Sequence, residues 1–304
     1  MQINRDKRRA VEEGVAQAVF TLCGFISVFA VSAVMLYMIL KGMPAIFKVG
    51  LKEILFSGIW KPTAEEPEYG ILYIILTSVF GTGLAVLMGV PVGILTAVYL
   101  AELSGGKPAV VVRAAMELLA GIPSVVYGLL GIYLLNPLMY RLERKLYAGS
   151  RTHQFTGGAN LLSAALVLAV MILPTVISIS ETAIRAVHPD LKAASLALGA
   201  SRVQTIFKSV LPAAKSGVAT AVVLGVGRAI GETMAITLVS GNSVNIPLPF
   251  HSVRFLTTAI VSEMGYSQGT HREMLFTIGL VLFVFIIIVN ITLNYIIKKG
   301  MMRE

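Results

Sequence analysis

The chain has 304 residues, of which 56% are hydrophobic and 13% charged, against about 25% charged in a typical soluble domain. Together with a mean hydropathy of +0.81, this excludes an ordinary soluble enzyme and defines a polytopic membrane protein. The formal charge of +9 does not argue for nucleic acid, because the basic residues sit at the ends of apolar runs and between them, without interleaved aromatics.

The amino terminus, MQINRDKRRAVEEG, is basic, and residues 1–18 are expected as a cytoplasmic segment. The apolar run behind it is longer than a signal-peptide core and closes on no small-residue cleavage site, so it reads as an uncleaved first helix. Cys23, the single cysteine, lies in that run and is expected as a small buried apolar residue; it leaves no disulfide framework and no cysteine metal site. A helix needs about 20 apolar residues to cross the hydrocarbon. Six segments qualify: 19–40, 71–100, 110–135, 161–180, 218–240 and 274–297. Pro91 interrupts the second and Pro123 the third, which predicts kinks or tilts there.

Six spans put both termini on one side, and the larger, less compensated set of Lys and Arg falls on that side, making it cytoplasmic by the positive-inside rule. The extracytoplasmic loops are then 41–70, 136–160 and 241–273. None is long enough for a folded domain, so capture of a ligand outside falls to another protein. The third contains HSVRFLTTAIVSEM, too short to span and suited to an interfacial or re-entrant helix. The inner loop 182–216 is long enough to do work. Pro189 suits the first turn of a helix that ends at Gly199, where a left-handed cap costs little. Ser201 can cap a second helix over 202–210, before Pro212 starts the next span. Two short helices on the membrane surface result, and on residues alone they fit an ordinary amphipathic connector as well.

The fifth span carries Arg228 and Glu232, four residues apart and hence on one face of a continuous helix. Two readings stand on the residues. Either the pair neutralises itself inside the bundle, or Arg228 offers its guanidinium fork to a multivalent oxyanion that Glu232 holds or gates. Gly227 and Gly231 form a small-xxx-small face for close approach of another helix; with no strand before them they are not a nucleotide loop. Glu117 lies deep enough in the third span to pair with a base elsewhere, whereas Glu181 reads as a solvated helix end. His153, His188, His251 and His271 fall in loops without ligand spacing, so no metal site is expected. GxSxG and HExxH motifs are absent, and GGKPAV around Lys107 lacks the leading glycine and the hydroxyl of a P-loop. ATP, if used, is hydrolysed by a partner.

Residues 193–214, AASLALGASRVQTIFKSVLPAA, resemble the EAA loop of ABC-importer permeases, in which Glu-Ala-Ala is followed by Gly four residues on and then by a Leu-Pro pair. Gly199, Leu211 and Pro212 match. The Glu position falls on Ala193 and the final Ala on Ser195, so any bond the family makes through that Glu is missing here. LAGIPSVVYGLLGIY, MILPTVISISETAIRAV and GRAIGETMAITLVSGN resemble phosphate-specific transport permeases, the C-type subunit more than its A-type partner. The resemblance extends from about residue 71 to the end. It implies an all-α type I ABC importer permease fold, a single transmembrane domain over 19–304 with its core at about 71–298, and a coupling loop at 182–216. It implies an A-type permease partner, an extracytoplasmic phosphate-binding protein, and a cytoplasmic ATPase dimer that holds ATP and Mg, with no cofactor in this chain. Arg228, Glu232 and Thr233 would line the anion path, and Ala193, Ala194, Ser195, Gly199, Leu211 and Pro212 would receive the ATPase. The setting would be the bacterial inner membrane, with both termini cytoplasmic. Importers of sulfate or molybdate, and an ATP-independent transporter, are the alternatives; a membrane enzyme such as a lipid phosphatase lacks a nucleophile and base.

Overall fold

A computed structural model describes residues 2–301. The first helix, α1 (Gln2–Val49), runs unbroken through the stretch expected as a separate amino-terminal segment and continues past residue 40. A short α2 (Leu51–Phe56) follows, then a two-residue antiparallel ladder of β1 (Trp60–Lys61) on β2 (Glu68–Tyr69). Next come α3 (Leu72–Val98), which passes through Pro91 and ends in a π-helical turn, Tyr99–Leu103, and α4 (Lys107–Gly121).

The third span differs from its expected position. Ile122, held extended ahead of Pro123 at φ −73 and ψ 127, separates α4 from α5 (Ser124–Leu130), because a residue before proline is pushed out of the helical region. From α5 the helix continues through a π turn, Gly131–Leu135, into α6 (Asn136–Leu146), and Ser124–Leu146 is the membrane-length segment. The apolar run 110–135 is thus two helices, and the first 11 residues of the loop expected at 136–160 are helical.

α7 (Leu161–Arg185) is the fourth span. The loop after it holds α8 (Pro189–Ala197), α9 (Arg202–Thr205), a π turn over Ile206–Val210, and α10 (Leu211–Ala213). Then come α11 (Lys215–Gly231), α12 (Met234–Val239), α13 (Leu256–Glu263) and α14 (Gly269–Met301). Among the described residues five helical stretches are long and apolar enough to cross a membrane, and a sixth if Arg202–Ala213 and Lys215–Gly231, which meet at 70°, count as one span. The expected fifth span, 218–240, is itself interrupted at residues 232–233.

The core is a slab of α3, α7 and α11. A methyl added at Gly93 on α3 would come within 2.7 Å of Val176 Cγ1 on α7, and one at Gly225 on α11 within 2.9 Å of Val176 Cγ2. With no side chain at these points the backbones close on one valine, which is how helices pack where lipid offers no hydrophobic drive. Leu161, Leu168, Ile172, Ala235, Val239 and Phe255 fill the space above. By contrast the described part of α1 meets the bundle through its last turns, where Thr277 Oγ1 of α14 donates to the Gly42 carbonyl at 2.8 Å and Tyr37 meets Phe276 edge-on at 5.6 Å. Cys23, expected to be buried, is therefore exposed.

The bundle has two polar ends. The hairpin end carries β1–β2, α13 and residues 241–255; the loop end carries α8 to α10. The short helix expected within 241–273 is α13. At the hairpin end Glu263, 6% exposed, accepts Trp60 Nε1 at 3.1 Å and His271 Nε2 at 2.8 Å, and pairs with Arg254. His271, expected in a loop, is buried in the first turns of α14.

Candidate anion path and coupling loop

Arg228 and Glu232 do not share a helix face. α11 stops at Gly231, and Glu232 is extended at φ −68 and ψ 134. Its Oε1 accepts the Ala235 amide at 3.1 Å in the first turn of α12, and its carbonyl accepts Thr257 Oγ1 of α13 at 2.9 Å. The carboxylate thus serves an otherwise orphaned N–H at a helix start, where negative charge is favoured. Thr233 sits in the same break, with its hydroxyl on the Gly231 carbonyl at 3.3 Å. The shared helix face expected for the two residues is corrected, and with it the reading as a self-neutralising pair: the break turns the two side chains to different partners.

Arg228 is exposed on α11, and its Nη1 donates to Thr175 Oγ1 on α7 at 3.2 Å. Among the described residues it has no carboxylate partner. Tyr127 of α5, whose hydroxyl donates to the Leu119 carbonyl at 2.6 Å, lies within electrostatic reach of the guanidinium. Thr175 and Tyr127 were not singled out by sequence reasoning, although both lie inside the quoted motifs. Their signal was a polar group in an apolar run. Gly227 and Gly231 also face outward, and a methyl at either would meet no atom within 4 Å. The small-residue face is present, but no helix among the described residues occupies it; the tight glycine is Gly225.

At the loop end the two-helix shape is built as its residues dictate. His188 Nδ1 accepts the Asp190 amide at 3.3 Å at the start of α8, with Pro189 in the first turn. Gly199 is left-handed at φ +85, with its amide on the Leu196 carbonyl at 3.0 Å. Ser201 and Gln204 make a reciprocal capping box, at 3.3 Å and 2.9 Å. The second helix is α-helical only to Thr205 and π-helical from Ile206 to Val210. That turn rotates Ile206 and Val210 into a small core with Val98, Ile184 and Val218.

No residue of α8 is buried. Ala193, Ala194 and Gly199 are exposed, Ser195, Leu211 and Pro212 half-buried, and Leu198 is 89% exposed. In place of a Glu at residue 193, Ser195 supplies the link between the helices: its Oγ lies 3.0 Å from Thr205 Oγ1, and Ser209 Oγ donates to it at 3.4 Å. Lys192 binds Glu102 on the π turn of α3. Glu181 is not a solvated helix end. Its Oε1 binds Arg113 Nη2 at 2.8 Å and Arg185 Nε at 2.9 Å. Glu117 is exposed and has no ion pair among the described residues.

The multi-pass helical bundle, with its split, charged span and capped surface loop, has the build of a membrane transport subunit. Residues 89–301 match the family described as binding-protein-dependent transport system inner membrane component, and the chain belongs to it. It is 36% identical to the probable ABC transporter permease protein YqgH of Bacillus subtilis (strain 168), over 98% of this chain and 94% of that one. To the phosphate transport system permease protein PstC of Haemophilus influenzae it is 31% identical, over 93% of this chain and 91% of the relative. Its fold is that of a subunit of a bacterial alginate ABC transporter, with a TM-score of 0.63 at 16% identity, covering 95% of this chain and 97% of the other.

Proposed function

We propose that the chain is the C-type permease subunit of an ATP-driven phosphate importer and forms half of its translocation path. The observation that carries this is Arg228, a guanidinium on an exposed face of α11 with a neutral partner, Thr175, and no carboxylate partner among the described residues. Such a group suits a multivalent oxyanion, and its fork fits phosphate geometry. Likeness to permeases named for phosphate transport, at 31% identity over 93% of the chain, supports phosphate as that anion.

The remaining parts follow from the same reading. An A-type permease packs on the open face of α11, where Gly227 and Gly231 permit close approach and Thr233 and Glu232 complete the path. A phosphate-binding protein delivers the anion to the hairpin end, outside. A cytoplasmic ATPase dimer, which holds ATP and Mg, seats on Ala193, Ala194, Ser195 and Gly199, with Leu211 and Pro212 joining the loop 182–216 to the next span. Both termini are then cytoplasmic in a bacterial inner membrane. A path group must release what it holds, so this chain alone binds phosphate weakly.

In proteoliposomes containing the whole importer, Arg228→Gln should abolish ATP-driven phosphate uptake while all subunits still copurify. Wild-type uptake by that variant would refute the path role.

A further inference from the structure

α8 bears Ala193, Ala194 and Ser195 of the residues assigned to the ATPase contact, yet it contributes no buried residue to the core. Beyond its packing on the rest of the loop, α8 is held by polar side-chain contacts, and the described residues provide two sets. The Ser195 hydroxyl contacts join α8 to its own loop. The Lys192–Glu102 ion pair joins it to the end of α3, a spanning helix. The two side chains are 29% and 11% exposed, so water screens the pair less than an open surface pair, whose worth is small.

The π turn that carries Glu102 is itself gripped. The Leu100 carbonyl, one of the orphan acceptors of a helix end, takes Arg185 Nη2 of α7 at 2.6 Å and Arg113 Nη2 of α4 at 3.4 Å. Glu181 holds both arginines. The end of α3 is thereby fixed to α4 and α7. Further along, Gly93 of α3 lies against Val176 of α7, and the preceding residue, Thr175, holds Arg228. Close-packed helices shift as units rather than bend.

Resting on the transport function proposed above, we propose that Glu102 and Lys192 form a latch that carries displacement of α8 into the α3–α7 pair and so to Arg228. Both are positioning residues, since neither meets the anion. An α8 cut loose from α3 would still dock an ATPase through its exposed face, but its movement would reach α3 only indirectly, through the Ser195 contacts and the packing of Ile206 and Val210 on Val98.

The test uses the complete importer in liposomes, with phosphate taken up per ATP hydrolysed as the readout. Glu102→Gln and Lys192→Met should each lower that ratio by roughly fivefold, with the ATPase still copurifying. The exchanged pair, Glu102→Lys with Lys192→Glu, should restore most of it. Unchanged ratios in the single variants, or no recovery in the exchanged pair, would overturn the latch. Loss of the ATPase from Glu102→Gln would also overturn it, by making the pair a docking contact. A second readout needs no phosphate. In a Cys23→Ser background, thiol labelling of Leu224→Cys on α11 should change when ATP and vanadate are added, and Glu102→Gln should reduce that change; an undiminished response would sink the latch. If the wild-type complex shows this ATP response but takes up no phosphate, the substrate reading fails while the labelling still decides the latch.

Discussion

Arg228 is the residue on which the transport reading turns, and its chemistry can be dissected. Lysine keeps the charge but presents a compact ammonium in place of a planar fork, so bidentate contact with phosphate is lost. Arg228→Lys should lower the initial rate of phosphate uptake roughly tenfold, about the worth of one charge-assisted hydrogen bond. Thr175→Val removes the acceptor that orients the guanidinium at 3.2 Å without touching its charge, and should lower the same rate less than Arg228→Lys does. An equal or larger loss would mean that Thr175 itself meets the anion. Arg228 was legible as an anomaly, a charge in an apolar run. Its relation to Glu232 was not, because i,i+4 pairing assumes a helix, and here the helix ends between the two residues.

At the scale of elements, α8 and α9 follow their local signals closely. Proline in the first turn, glycine at the left-handed cap and the Ser201–Gln204 box each satisfy backbone groups within a few residues, so no distant contact is needed to specify them. Gly199 tests this. A methyl there meets no neighbouring atom, yet φ is +85, so any penalty is one of backbone conformation, about 1–2 kcal/mol for a residue with a Cβ. Gly199→Val should weaken copurification of the ATPase, whereas Gly199→Asn, which tolerates the left-handed region, should retain it. Equal retention by both would mean that the turn does not set the docking surface. The spans 110–135 and 218–240 were less legible. Hydropathy reports only that a stretch avoids water, and two helices separated at Pro123, or a helix broken at Glu232, satisfy it as well as one straight rod.

Across the whole molecule, the hairpin end is organised by a buried carboxylate that no local pattern announces. Glu263 collects Trp60 from β1, Arg254 from the preceding loop and His271 from α14, and so ties three separate segments at one point. Removing it would strand the Arg254 guanidinium, 15% exposed, without its counter-charge, a defect worth about 3–5 kcal/mol. Glu263→Ala should lower the midpoint of thermal unfolding in detergent and open residues 241–255 to protease; an unchanged midpoint would show that the three segments hold without it. The sequence by itself determined the membrane class, the approximate spans, the two-helix loop and the anomalous charge in α11, because apolar run length, caps and turn residues act over a few positions. The tertiary structure alone decided that Arg228 faces Thr175 and not Glu232, that Glu181 is clamped and not solvated, and that Ser195 and Lys192 hold α8 without a Glu at residue 193. Each of those outcomes depends on which helices are neighbours and where their axes break, and neither is encoded within a single window of the chain.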